Sequence, residues 1–182
     1  MKKIIKQIIL LALVVAFLSS CKKESPATTD TITPVITLQI SGGGFSKTFN
    51  SDEILQMGEI LYKPQTKYNY TIVMSDTGGL QTLRFRISSM GATNLTVNST
   101  PLCTEYTSPS GDHAYQYNET NMSNPYKSYV ISGDFVTPFV QASNEPLNFT
   151  LEGRDFRPNR TNLYINGDVT DNPAGGYGWV TF

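Results

Sequence analysis

YNYTIVMSDTGGLQTLRFRIS, residues 68–88, carries two apolar alternations separated by a pair of glycines. Tyr68, Tyr70, Ile72 and Met74 occupy every second position, with Asn69, Thr71, Val73 and Ser75 between them. Leu83, Phe85 and Ile87 then alternate with Thr82, Arg84, Arg86 and Ser88. Successive side chains of an extended strand point to opposite faces, so period two is the pattern of a strand with one buried and one wetted face. Asp76-Thr77-Gly78-Gly79 supplies the glycines that a reversal with positive φ requires. The stretch predicts two strands, joined as a hairpin or as a close connection between sheets, with Arg84 and Arg86 turned to water.

The same rule extends in both directions. Ile36, Leu38 and Ile40 share one face of a strand over residues 35–40, and Tyr129, Ile131 and Phe135 mark another over 128–136. Leu147, Phe149 and Leu151 alternate with Asn148, Thr150 and Glu152. Leu163 and Ile165 precede Asn166-Gly167, a tight-turn dipeptide, and residues 177–182 close the chain as a last strand. Gly42-Gly43-Gly44 has no Lys-Ser/Thr helix after it, so it reads as a turn and not a phosphate loop. Residues 51–61 leave two alternatives: Ser51 caps a short helix opening on Asp52 and Glu53, or Gly58 breaks it and a strand starts near Glu59. Six to eight strands without a long amphipathic helix predict an all-β, antiparallel β-sandwich over residues 35–182 as a single domain. Charged residues make up only 16% of the chain, a poor supply for helical surfaces.

The start of the chain has a different character. Lys2, Lys3 and Lys6 precede eleven apolar residues, Ile8 to Leu18. At about 1.5 Å per residue such a run covers roughly half of a ~30 Å hydrocarbon core, which is signal-peptide length and not spanning length. Leu18-Ser19-Ser20-Cys21 resembles the lipobox of bacterial lipoproteins. The resemblance implies removal of residues 1–20 and acylation of Cys21, with palmitate among the chains carried; two or more chains hold a protein stably to a bilayer. The alternative for Cys21 is a buried thiol or half of a disulfide. Lys22-Lys23-Glu24 is similar to the charged segment that sends Bacteroidota-type lipoproteins to the outer face of the outer membrane. Residues 21–34 are Lys, Ser, Thr and Pro with little to bury, a flexible tether. Within it Asp30-Thr31-Ile32 resembles a Bacteroidota O-glycosylation acceptor at Thr31, against the alternative of a plain solvated linker. ILYKPQTKYNYTIVMSDTGGLQTLRFRIS resembles strands B and C of the immunoglobulin-like, cadherin-like modules of Bacteroidota lipoproteins, which implies an immunoglobulin-like sandwich.

Loss of residues 1–20 takes three of the fourteen basic residues and none of the fifteen acidic ones, leaving a formal −4. That balance provides no footprint for nucleic acid. With Cys21 acylated, Cys103 has no intramolecular disulfide partner. The sole histidine, His113, cannot build a zinc site with one cysteine, and no nucleophile elbow or zinc-protease motif is present. No cofactor is implied.

Residues 97–129 show no clear period and read as one long loop insertion, which at that length points to function or disorder. Tyr106, Tyr115, Tyr117 and Tyr126 among Ser, Asn and Gly resemble the makeup of antibody paratopes. Tyrosine faces there can stack on sugar rings while Asp112 and Asn118 bond hydroxyls; the alternative is that Tyr115 and Tyr117 cover the end of the sandwich. Asp155, Asp168 and Asp171 are oxygen ligands of the kind calcium takes, although Arg154, Arg157 and Arg160 oppose a cation and turn-shaping is the preferred role. The reading is a lipid-anchored, surface-exposed outer-membrane lipoprotein whose non-catalytic domain binds a glycan or an outer-membrane protein. Its alternatives are a purely structural envelope component and, last, a hydrolase using Glu105 and Asp112 as a carboxylate pair.

Overall fold

The computed structural model describes residues 31–53, 57–89, 93–107, 112–140, 144–173 and 176–181. Cys21 and the leader fall outside them, while Thr31 is exposed. Among the described residues there are fourteen strands and no helix. They form two sheets packed face to face. The first runs β2 (Phe45–Asn50), β1 (Val35–Gly42), β4 (Lys67–Ser75), β10 (Ser128–Val136) and β6 (Thr93–Leu95), with β7 (Asn98–Thr100) also on β10. The second runs β14 (Gly178–Thr181), β3 (Gly58–Tyr62), β13 (Gly167–Val169), β11 (Glu145–Asp155), β5 (Leu80–Ser89), β9 (His113–Asn118) and β8 (Thr104–Thr107), with β12 (Arg160–Ile165) also on β11. Every pairing is antiparallel except β13 with β3.

The stretch that predicted the fold spans both sheets. β4 pairs with β1 and β10, whereas β5 pairs with β11 and β9, so Asp76 to Gly79 carries the chain across the core. Of the two alternatives, the inter-sheet connection is the one formed. Asp76 shapes it by accepting the Gly78 N–H at 3.0 Å, a local turn bond that Asp makes readily. Tyr68, Tyr70, Ile72 and Met74 from β4 meet Leu83, Phe85 and Ile87 from β5 in the interior, joined by Ile36, Leu38, Ile40, Phe135 and Phe149. Arg84 is exposed on the far side.

Aromatic rings fill the centre. Tyr68 stacks on Phe135, its cross-strand neighbour, at 5.6 Å between centroids, and Phe85 stacks on Phe149 at 6.2 Å. A buried phenol needs a partner for its hydroxyl. Tyr70 donates to the Thr96 carbonyl at 2.9 Å, Tyr129 donates to the Leu80 carbonyl at 3.0 Å, and Tyr68 accepts the Lys63 N–H at 2.9 Å. Tyr62, fully buried, has no hydrogen-bond partner among the described residues.

Four expectations change. Residues 97–129 contain three strands, β7, β8 and β9, because hairpin β8–β9 adds to the edge of β5. An edge hairpin is wetted on more than one side, which blurs the apolar alternation that periodicity depends on. Ser51 caps no helix among the described residues; its hydroxyl accepts the Ile36 N–H at 2.8 Å, and a strand, β3, begins at Gly58. The strand β2 arises where none was expected, since Phe49 alone of its side chains is buried. It follows the Gly43-Gly44 turn, both residues at positive φ (58° and 89°), as a two-residue hairpin loop requires.

The fourth concerns Asn166-Gly167, which makes no turn. β12 and β13 lie along β11 in one unbroken register, Phe149 opposite Ile165 and Pro146 opposite Asp168, so the chain runs straight on. Gly167 serves close approach instead. A Cβ there would meet Tyr62 Cε2 at 2.5 Å, the Leu147 carbonyl at 2.8 Å and the Ile60 carbonyl at 3.0 Å. The true reversal is at residues 156–159, where the buried Asp155 carboxylate accepts the N–H groups of Arg157 (2.7 Å) and Asn159 (2.9 Å).

Candidate functional site

Strand alternation sorts the tyrosines that the sequence grouped together. Across β5 and β9, Leu83 faces Tyr117, Phe85 faces Tyr115 and Ile87 faces His113. Tyr115 and Tyr117 therefore point inward with the core side chains. Tyr115 stacks on Phe85 at 6.2 Å, and Tyr117 meets Tyr129 edge to face at 4.6 Å. Burial raises both phenols, Tyr117 to about 12, where a hydrogen bond to Glu119 at 3.0 Å adds to the effect. Tyr126 lies in the loop after β9, against Tyr117 and Tyr129, with 49% of its surface exposed. Tyr115 and Tyr117 thus pack against the core, with Tyr126 beside Tyr117 and Tyr129.

Tyr106 and Asn118 take the opposite face. Tyr106 pairs with Ala114, which pairs with Arg86, which pairs with Thr150, which pairs with Tyr164. That lateral row places a tyrosine at each end of five strands, about 19 Å apart at ~4.8 Å per strand. Tyr164 is 54% exposed. The next row is Thr104, Gln116, Arg84, Glu152 and Asn162, and the third is Asn118, Thr82, Arg154 and Arg160. The outer face of β8–β9–β5–β11–β12 thus carries amides, hydroxyls, arginines, Glu152 and two tyrosines, around a buried Ala114. Tyr164 was missed by sequence reading, yet its place between Leu163 and Ile165 already turns it outward.

The charges on this face are organised around Glu152. Its carboxylate takes Arg154 Nε at 2.7 Å on one oxygen and Arg160 Nη2 at 3.0 Å on the other. Arg154 and Arg160 stand directly opposite each other, a like-charge pairing that costs stability unless an anion bridges it. Arg86 pairs with Asp112 at 3.7 Å. Arg84 makes no ion pair among the described residues.

Asp112 reaches Arg86 on the outer face, whereas Glu105 stands opposite inward-facing Tyr115. The suggested hydrolase pair is split between two faces of one sheet and cannot flank a glycosidic bond. The calcium candidates are also separated. Asp155 lies at one end of β11 and Asp168, opposite Pro146, near the other, roughly 30 Å apart at ~3.3 Å per residue. The Asp155 oxygens hold their own turn, with Asn159 Nδ2 also donating at 2.6 Å. Asp168 lies near Glu59, whose carboxyl is held up by partial burial and by that neighbouring charge. Among the described residues no three His, Cys, Asp or Glu side chains converge. Cys103 is a free, half-buried thiol, raised by burial against a lowering bond from Ser99.

No protein-family model and no curated protein matches this chain. Similar solved structures include a cohesin module from a Clostridium perfringens family 33 glycoside hydrolase, at 8% identity and TM-score 0.38, covering 64% of this chain and 100% of that one. The collagen-binding subdomain ACE19 of an Enterococcus faecalis surface protein gives 8% identity and TM-score 0.38, covering 64% and 95%. The major subunit of Yersinia enterocolitica Myf fimbriae, in self-complemented form, gives 13% identity and TM-score 0.32, covering 72% and 98%. What this chain's own paired strands establish is an all-β domain of two packed sheets.

Proposed function

We propose that this protein is a non-catalytic binding module, held at the outer membrane by lipid on Cys21 and presented to the exterior, with its larger sheet as the binding face. The observation that supports it is the row Tyr106–Ala114–Arg86–Thr150–Tyr164, whose outward tyrosines bracket Arg86, beside a row that carries Gln116, Arg84, Glu152 and Asn162. Flat sheet faces suit extended ligands, with rigid aromatic rings giving contact area and amides giving directional bonds. A surface glycan is the ligand this palette suits best. The test is a glycan array probed with the full chain in neutral detergent, alongside Tyr164→Ala, Tyr106→Ala, Tyr126→Ala and, on the other sheet, Gln39→Ala. Binding lost in the first two variants and kept in Gln39→Ala supports the face. Loss only in Tyr126→Ala moves the site to the end loop and refutes it, and no glycan binding at all favours a structural envelope component.

A further inference from the structure

Building on that binding face, the arginines narrow the ligand. Arg84 and Arg86 project from β5, Arg154 from β11 and Arg160 from β12, all on one side of the sheet. Strand spacing places their stems in an area of roughly 10 by 14 Å. Among the described residues Glu152 and Asp112 are the acids that pair with them, so these four arginines and two acids leave a surplus of two positive charges, on a chain whose formal net charge is −1. The acidic side chain nearest along β11, Asp155, is buried and turned inward.

The pairing also leaves one guanidinium, that of Arg84, without an ion pair among the described residues. Glu152 is directly opposite Arg84 in register, yet both its oxygens are taken by Arg154 and Arg160. Arg84 is therefore exposed, charged and available, with its planar fork of donors suited to two oxygens of one carboxylate or sulfate. Gln116 on one side of it and Asn162 beyond Glu152 on the other offer amide bonds to hydroxyls. Tyr164 lies two strands away in the row of Arg86. Charged forks, amides and an exposed ring together match a sugar polymer bearing acidic groups. A purely acidic peptide would leave Tyr164 and the amides without a specific role.

We infer that this patch binds an acidic polysaccharide, one whose units carry carboxylate or sulfate groups, with Arg84 as the primary anion contact. The experiment titrates the full chain in neutral detergent with polygalacturonate, dextran sulfate, uncharged dextran and poly-glutamate, at low and high salt. Expected is binding to polygalacturonate, dextran sulfate or both, which tells carboxylate from sulfate, with none to dextran and weakening as salt screens the charges. Arg84→Gln should weaken it tenfold or more, Arg84→Lys by less because charge remains without the fork, and Tyr164→Ala several-fold. Circular dichroism confirms that these surface variants are folded. Preferential binding to poly-glutamate overturns the inference, as does polysaccharide binding that Arg84→Gln leaves unchanged. A neutral array glycan that requires Tyr164 while both acidic polymers fail would overturn this inference and leave the proposed function standing.

Discussion

Replacing Gly167 separates two readings of Asn166-Gly167 by sign. If the pair were a turn, Gly167 would sit at positive φ. Alanine would then cost about 1–2 kcal/mol, and asparagine, which tolerates that region, would cost less. In the structure the position is extended strand, clasped between β3 and β11. A new Cβ would stand 2.5 Å from the Tyr62 ring, 2.8 Å from the Leu147 carbonyl and 3.0 Å from the Ile60 carbonyl, where carbon contacts normally settle at about 3.5–4.0 Å. Two of those three atoms are backbone in neighbouring strands and cannot withdraw without stretching the ladders. Overpacking of this kind costs about 1–3 kcal/mol, and each disrupted ladder bond adds about 1. We expect Gly167→Ala to lose about 3 kcal/mol and Gly167→Asn to lose more. Urea unfolding followed by the fluorescence of Trp179 reports locally, because this sole tryptophan pairs with Ile60 across β3. Shortening the obstacle with Tyr62→Leu should make the alanine substitution less costly than it is alone, a coupling expected of residues in contact. A loss below about 1 kcal/mol, or an asparagine variant more stable than the alanine one, would refute the crowding account.

Three further expectations rest on the interior. Tyr62→Phe removes a buried hydroxyl with no partner among the described residues and should be neutral or stabilising. Tyr129→Phe and Tyr70→Phe each forfeit a carbonyl partner and should lose about 1–2 kcal/mol by the same urea assay. Thr137→Val should cost about 1–3 kcal/mol, read as a lowered melting temperature. The buried Thr137 hydroxyl donates to the Lys63 carbonyl at 2.7 Å and accepts the Thr66 N–H at 2.9 Å, tying the β3–β4 turn to the end of β10. Burial raises Tyr62, Tyr70, Tyr117 and Tyr129 above the ordinary phenol value of 10.0, Tyr117 to about 12. A raised folded value means that the folded state holds the proton longer. Stability should therefore be intact below pH 10 and fall as pH climbs through 12 and beyond. Absorbance titration of tyrosinate should show the buried phenols ionising together with loss of structure; smooth ionisation of all ten tyrosines near pH 10 in a folded chain would contradict this.

Much of the fold was legible because burial on one face imposes period two. β1, β4, β5, β10, β11 and β12 all read correctly for that reason, down to which residues face the core. β2 and β8 did not, because an edge strand exposes more of itself and its sequence need not alternate, and β9, paired with both β5 and β8, turns only half-buried tyrosines inward. Asn166-Gly167 misled because a glycine needed for close backbone approach looks the same in sequence as one needed for positive φ.

By itself the sequence determined an all-β chain of alternating strands, the outward placement of Arg84 and Arg86, and a tyrosine-rich segment between residues 97 and 129. Local periodicity encodes these, since a strand's two faces are fixed by the chain alone. Only the tertiary structure decided which strands are neighbours, because pairing joins residues far apart in sequence. Register put Tyr106 and Tyr164 in one row, turned Tyr115 and Tyr117 into the interior, gathered four arginines around Glu152, and parted Asp155 from Asp168. The residues of the candidate site come from five different strands, and their meeting is a property of register, which no local pattern contains.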